Sequence, residues 1–253
     1  MATYKKRGAK KSVTKPEVQE QEMESTTAEV FESLDVGASK TEEFVASNQN
    51  TILSLIGVIT AVVLGYLAYD AYVATPNKET AVSELNQAQY YFNLAVNGEQ
   101  NAALYDRAIN GGDGKYGFLD IIENYNGTPA AALAKYSAGM SYLNTNRYEE
   151  AISYLEDFSS DDVLLSALAK GALGDAHAQL GQDEKALSFY KEAFQASDND
   201  FTTPKYLFKA GLIGASLDRN SEALGYFKRI KEEYASSAEA NQIDIQIGRL
   251  ENH

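Results

Sequence analysis

Three kinds of hydrophobic spacing follow one another along this chain. In the first fifty residues apolar positions are scattered among Lys, Glu, Ser and Thr, with a short cluster at Val30, Phe31 and Leu34. From Thr51 to Val73, TILSLIGVITAVVLGYLAYDAYV, apolar residues are nearly continuous, and no charged side chain stands between Glu43 and Asp70. From Pro76 onward apolar residues return every three or four positions, the period of an amphipathic helix.

The second stretch predicts one membrane-crossing helix. A helix rises about 1.5 Å per residue, so roughly 20 apolar residues cover a hydrocarbon core about 30 Å thick. The alternative, a buried helix of a soluble core, needs neighbours able to cover it, and the polar residues before Thr51 supply none. A cleaved secretory signal has a basic head directly before an apolar run of about 7–15 residues. Here the run starts fifty residues in and is longer, which favours a retained signal-anchor. Gly57, Ala61 and Gly65 recur every fourth residue and share one helix face, a candidate packing face because small side chains let helices approach closely in lipid. Gly and Ala are also common in membrane helices that have no partner.

The third stretch is helical throughout. Asn77 to Val96 sets Val82, Leu85, Ala88, Phe92 and Ala95 on one face. The connector NGEQNAALYDRAINGGDGKYG has room for a short helix at Ala102 to Ile109. FLDIIENYNGTPAAA then reads as a helix closed by Asn126-Gly127, with Pro129 opening the next.

Self-similarity follows. Aligning AKYSAGMSYLNTNRYEEAISYLEDF, AKGALGDAHAQLGQDEKALSFYKEA and FKAGLIGASLDRNSEALGYFKRI brings Gly139, Gly174 and Gly211 to one position, at offsets of 35 and 37 residues. Ala151, Ala186 and Ala223 share a second position, and Leu155, Tyr190 and Phe227 a third. This period and small-residue pattern predict a helix-turn-helix unit of the tetratricopeptide type. Glycine inside a helix costs about 1 kcal/mol against Ala, so its recurrence needs a packing reason, and close helix approach supplies one. The third unit deviates, with Gly214 where the others have Tyr142 and His177. Ile243, Ile247 and Leu250 mark a final capping helix.

The fold expected is all-α, a single N-terminal transmembrane helix followed by a tetratricopeptide-type α-solenoid. Its parts are a disordered cytoplasmic leader at 1–38, an anchor at 39–75 with core 51–73, and a helical region with an irregular repeat at 76–131. Repeat units follow at 132–166, 167–202 and 203–237, with a cap at 238–253. Thr26 with Glu29, and Ser39 with Glu42, have capping-box spacing, so helix is expected to begin ahead of the apolar core.

Charge narrows the function. The chain of 253 residues carries a formal charge of −14, and from Ala74 onward 26 acids face 15 bases. Such a surface repels phosphate backbones, which excludes nucleic acid as a partner of this domain. Zero cysteines exclude a disulfide framework and a thiol nucleophile. Lys5, Lys6, Arg7, Lys10, Lys11 and Lys15 make the first fifteen residues basic, suited to anionic lipid or ribosomal RNA, or simply a solvated tail that keeps this end cytoplasmic. The large domain is then periplasmic.

No catalytic constellation stands out. His177 is the one internal histidine and reads as a packed side chain, with no second histidine to act beside it. GGDGKYG lacks the Ser or Thr of a phosphate loop and the closing Glu of a calcium loop, and reads as a flexible loop. No cofactor or metal site is expected, and no enzyme. A solenoid does offer an inner face for protein partners, lined in this register by Tyr136, Met140, Leu143, Asp175, Gln179, Phe208 and Leu212, with Asp175 tuning charge preference. Tyr136, Met140 and Phe208 have packing inside the stack as their other reading.

A polar leader, one anchor helix and an acidic repeat domain resemble YfgM-like proteins, ancillary subunits of the bacterial Sec translocon. The resemblance runs from Ser39 to the C-terminal end and is most specific between Gly117 and Tyr190, where GFLDIIENYNGTPAAALAKYSAG stands. It implies an inner-membrane protein associated with SecYEG, whose periplasmic domain contacts translocating polypeptides or chaperones. The alternative is a scaffold of another envelope complex, such as an outer-membrane assembly or a motility or secretion machine.

Overall fold

The computed structural model describes residues 26–98 and 101–251. The basic tip and the acids before Thr26 lie outside the described residues. The chain divides into two units, Met1–Tyr66 and Leu67–His253.

The first unit is built on α1, Thr26–Tyr69. Residues 26–38, expected in a disordered leader, are helical. No proline stands between Thr26 and Pro76 to break the helix. Within Gly37–Asn97 lies the one segment among the described residues that is long and apolar enough to cross a membrane, and none of that window is buried.

A π-helical turn at Asp70–Ala74 precedes α2, Thr75–Asn97. Pro76 explains the turn. It has no N–H to offer the Tyr72 carbonyl, and the neighbouring Thr75 N–H bonds Asp70 O, five residues back. Helix α2 buries Ala81, Leu85, Ala88 and Ala95 and half-buries Phe92. Val82, expected on that face, is exposed, because Ala81 occupies the inward position one residue earlier.

Helices α3 (Ala102–Asn110) and α4 (Phe118–Asn124) complete this part. The glycine-rich connector between them is a braced turn in place of the flexible loop expected. Gly112 and Lys115 pair as an antiparallel bridge, and Asp113 accepts from Arg107 at 2.6 Å, whose guanidinium lies 5.0 Å from the Tyr91 ring centre. Gly111 has φ of +80°, and a Cβ on Gly117 would enter the backbone of Ile109 to Gly111, so both positions need glycine.

Three antiparallel helix pairs follow: α5 (Pro129–Asn144) with α6 (Tyr148–Glu156), α7 (Val163–Gln179) with α8 (Asp183–Ala196), and α9 (Thr203–Ser216) with α10 (Asn220–Glu233). The first two pairs begin a few residues ahead of the boundaries at 132 and 167. Thr128 caps α5 with Pro129 at its first turn, and Asp162 caps α7 by accepting from the N–H groups of Leu164 and Leu165.

Each pair closes on the same contact. A Cβ on Gly139 would lie 2.6 Å from Leu155 Cγ, one on Gly174 would lie 2.5 Å from a Tyr190 ring carbon, and one on Gly211 would enter the Phe227 ring. The large side chain of the second helix therefore seats on the glycine of the first within one unit. Ala151, Ala186 and Ala223 are wholly buried beside it.

The turns are equally regular. Asn146, Gly181 and Asp218, at equivalent positions, have φ of 60°, 68° and 58°. The next residue in each case, Arg147, Gln182 or Arg219, donates its N–H to the carbonyl of Tyr142, His177 or Gly214 at 2.8–2.9 Å. This left-handed C-terminal closure uses Asn, Gly and Asp, the residues that tolerate positive φ best. It also explains the deviant Gly214, since only a main-chain carbonyl is used there.

A short 3₁₀ turn at Glu239–Gln242 leads into α11, Ile243–Glu251. Ile243 is buried, with Ile247 and Leu250 packed against the core formed by the last two pairs.

Candidate protein-binding groove

The first helices of the three pairs turn one face toward a groove of about 420 Å³. Leu143 and Asn144 come from α5, Asp175, Ala178 and Gln179 from α7, and Lys209 from α9, with Tyr148 at the start of α6 and Tyr190 from α8. Three of the seven residues expected from the sequence, Leu143, Asp175 and Gln179, line it together.

The other four lie outside that lining. Tyr136 is half-buried with its ring 5.5 Å from that of Phe158, and Met140 is half-buried against the same core. Phe208 rests 6.0 Å from the Phe227 ring, and Leu212 is 40 % exposed.

The groove floor is a polar network. Asp175 Oδ1 accepts from Tyr190 OH at 2.7 Å and from Lys209 Nζ at 2.5 Å. The charge preference expected of Asp175 is thus answered by a lysine from the next repeat, and the floor is close to neutral. Burial, and then the Asp175 carboxylate, push the Tyr190 phenol well above its ordinary value, so it stays a donor. Tyr148 OH donates to Asn146 Oδ1 at 2.8 Å, with Gln179 Oε1 3.5 Å away. Amide, hydroxyl and ammonium groups therefore line a trough with Leu143 and Ala178 as its apolar patches.

Tyr148 and Lys209 are the residues that sequence reasoning missed. Lys209 lies 34 residues beyond Asp175, close to one repeat period, which is the signal that finds it. A related contact was also unforeseen. Gly171 of α7 meets the Tyr206 ring of α9, joining successive units, and burial raises the Tyr206 phenol with Asp175 and Tyr136 adding to it.

His177 packs as a core side chain, but its Nε2 is buried with no hydrogen-bond partner among the described residues, so it is not the satisfied histidine the sequence suggests. It is 3 % exposed, stacked on Phe189 at 5.2 Å, with Nδ1 2.8 Å from Gln182 Oε1. Among the described residues no group of three or more His, Cys, Asp or Glu converges as metal ligands would.

The tetratricopeptide repeat family profile matches residues 132–158 and 167–200, the first two helix pairs. No curated protein matches the chain.

Proposed function

We propose that this tetratricopeptide repeat protein, a scaffold for protein partners, is a single-pass adapter of the bacterial inner membrane associated with the SecYEG translocon. In this reading α1 crosses the bilayer with the N-terminus cytoplasmic, and the repeat domain stands in the periplasm. Its groove holds translocating polypeptides or a chaperone that receives them. Gly57, Ala61 and Gly65 give a partner helix of the channel a close approach, and the chain performs no catalysis.

One observation carries the reading: a helix apolar on every side shares a chain with a repeat stack whose groove offers mixed hydrogen-bonding groups at near-neutral charge. Such a floor suits main-chain amides of many sequences better than one charged motif. The resemblance to YfgM-like proteins supplies the channel as the partner.

Photo-crosslinking in intact cells from a probe at Leu143 or Gln179 tests it. Channel subunits and nascent periplasmic proteins are the expected products. Crosslinks to other envelope proteins alone would assign the domain to a different machine. Protease treatment of spheroplasts checks topology, and a protected repeat domain would overturn the reading.

A further inference from the structure

The repeat register carries one more pattern. The same offsets of 35 and 37 residues that align the glycines bring Pro129, Leu164 and Phe201 to a single position, at or just before the starts of α5, α7 and α9. All three are exposed. Leu164 is 40 % exposed, Phe201 65 %, and Val163 beside Leu164 58 %. The glycines and alanines that share this register are buried in the core, whereas this position stays apolar and exposed in all three units, so packing within the fold does not account for it. Phe201 is held outward by a fixed turn, in which Asn199 Oδ1 accepts from the N–H groups of Phe201 and Thr202 at 2.8 Å each.

Between the first two members lies a cavity of about 420 Å³. Pro129, Ala132, Leu133, Phe158 and Leu165 form its apolar wall, and Ser159 to Asp162 its rim. The loops that border the series, DFSSDD at 157–162 and SDNDFT at 197–202, contain five aspartates and no lysine or arginine. Three are committed: Asp157 to Lys135 at 2.5 Å, Asp198 to Arg229 at 3.7 Å, and Asp162 to the start of α7. Asp161 and Asp200 form no ion pair among the described residues.

We propose that this edge is a second docking surface, distinct from the groove, for a protein segment in which apolar residues alternate with lysines or arginines. The apolar wall takes the side chains, and the two unanswered carboxylates take the bases and repel an acidic competitor. This holds whichever machine the protein serves, and so does not depend on the translocon reading.

The test uses the full chain in zwitterionic nanodiscs and three fluorescein-labelled peptides: an alternating Leu/Lys peptide, its Leu/Glu counterpart and a Ser/Lys control, each corrected for empty nanodiscs. Anisotropy is expected to show binding of the Leu/Lys peptide alone. Leu164→Ser with Phe201→Ser should weaken it at least tenfold, and Asp161→Asn with Asp200→Asn should remove most of its salt dependence. All four positions are exposed, so helical circular dichroism should be unchanged. Equal binding of the Lys and Glu peptides, or no binding, overturns the proposal. So does a loss that follows Tyr148→Ala and Gln179→Ala in place of the edge variants. That last outcome would leave the groove reading intact.

Discussion

Glycine does opposite things in the two units of this molecule. In α1 the region around Gly57 and Gly65 is open, with no atom beyond the helix's own adjacent backbone within 4 Å of where a Cβ would stand. In the repeat domain Gly139, Gly174 and Gly211 each receive a large side chain at a distance no Cβ would tolerate. Both sets are periodic, Gly57 and Gly65 at eight residues with Ala61 midway, the others at 35 and 37. The difference is what the spacing matches: a helix's own turn, or the length of a folded hairpin. A glycine at hairpin spacing is engaged within the fold, whereas a glycine at helical spacing only marks a face.

That contrast can be broken experimentally, beginning where the effect is greatest. Phe227→Ala removes the side chain seated on Gly211 and should cost about 4 kcal/mol in urea unfolding followed by circular dichroism. Gly174→Val drives a side chain into Tyr190 and should cost about 3 kcal/mol. A well-tolerated Val there would show that the pair can separate, and the close-approach account would fall. Asp162→Ala leaves the first amides of α7 uncapped and should cost about 1 kcal/mol. Gly65→Leu should leave unfolding of the repeat domain unchanged in the same assay, while a loss comparable to Gly174→Val would erase the distinction between the units.

Alkaline titration sharpens it further. Burial raises the phenols of Tyr190, Tyr206 and Tyr226 above their ordinary 10.0. The unfolded chain releases those protons first, so their contribution is fully present below pH 10 and is lost as pH rises beyond it. Melting temperature should fall more steeply above pH 10 in the native protein than in Tyr190→Phe with Tyr206→Phe. Parallel curves would mean that these hydroxyls ionise freely in the folded state.

Much of the repeat architecture was legible because it is local. Pro129 and the Asn126-Gly127 stop act within a few residues, and the glycine register repeats a contact inside one hairpin, whereas the cap at Asp162 emerges only from the structure. Val82 misled because Ala81 beside it fits the buried stripe equally well, and a small residue wins where helices approach closely. The groove was half legible. Leu143, Asp175 and Gln179 follow from register alone, and the near-period spacing of Lys209 places it on the next repeat, but the contact itself depends on how one repeat is rotated against the next. Phe208 and Tyr136 were placed on the correct helices, yet rings this size reach neighbouring cores. The connector at Gly111 to Gly117 looked loose by composition, and its order comes from Arg107 and Tyr91, outside the segment.

The recurring turn after each first helix is made by main-chain atoms alone, with a phenol, an imidazole and a hydrogen as the three side chains at its acceptor position. Nothing in that hinge constrains which letter evolution writes there. A hairpin so made can change its acceptor residue while keeping its shape, provided Asn, Gly or Asp holds the left-handed position, and the third pair takes the same turn beyond residue 200, where the family match ends.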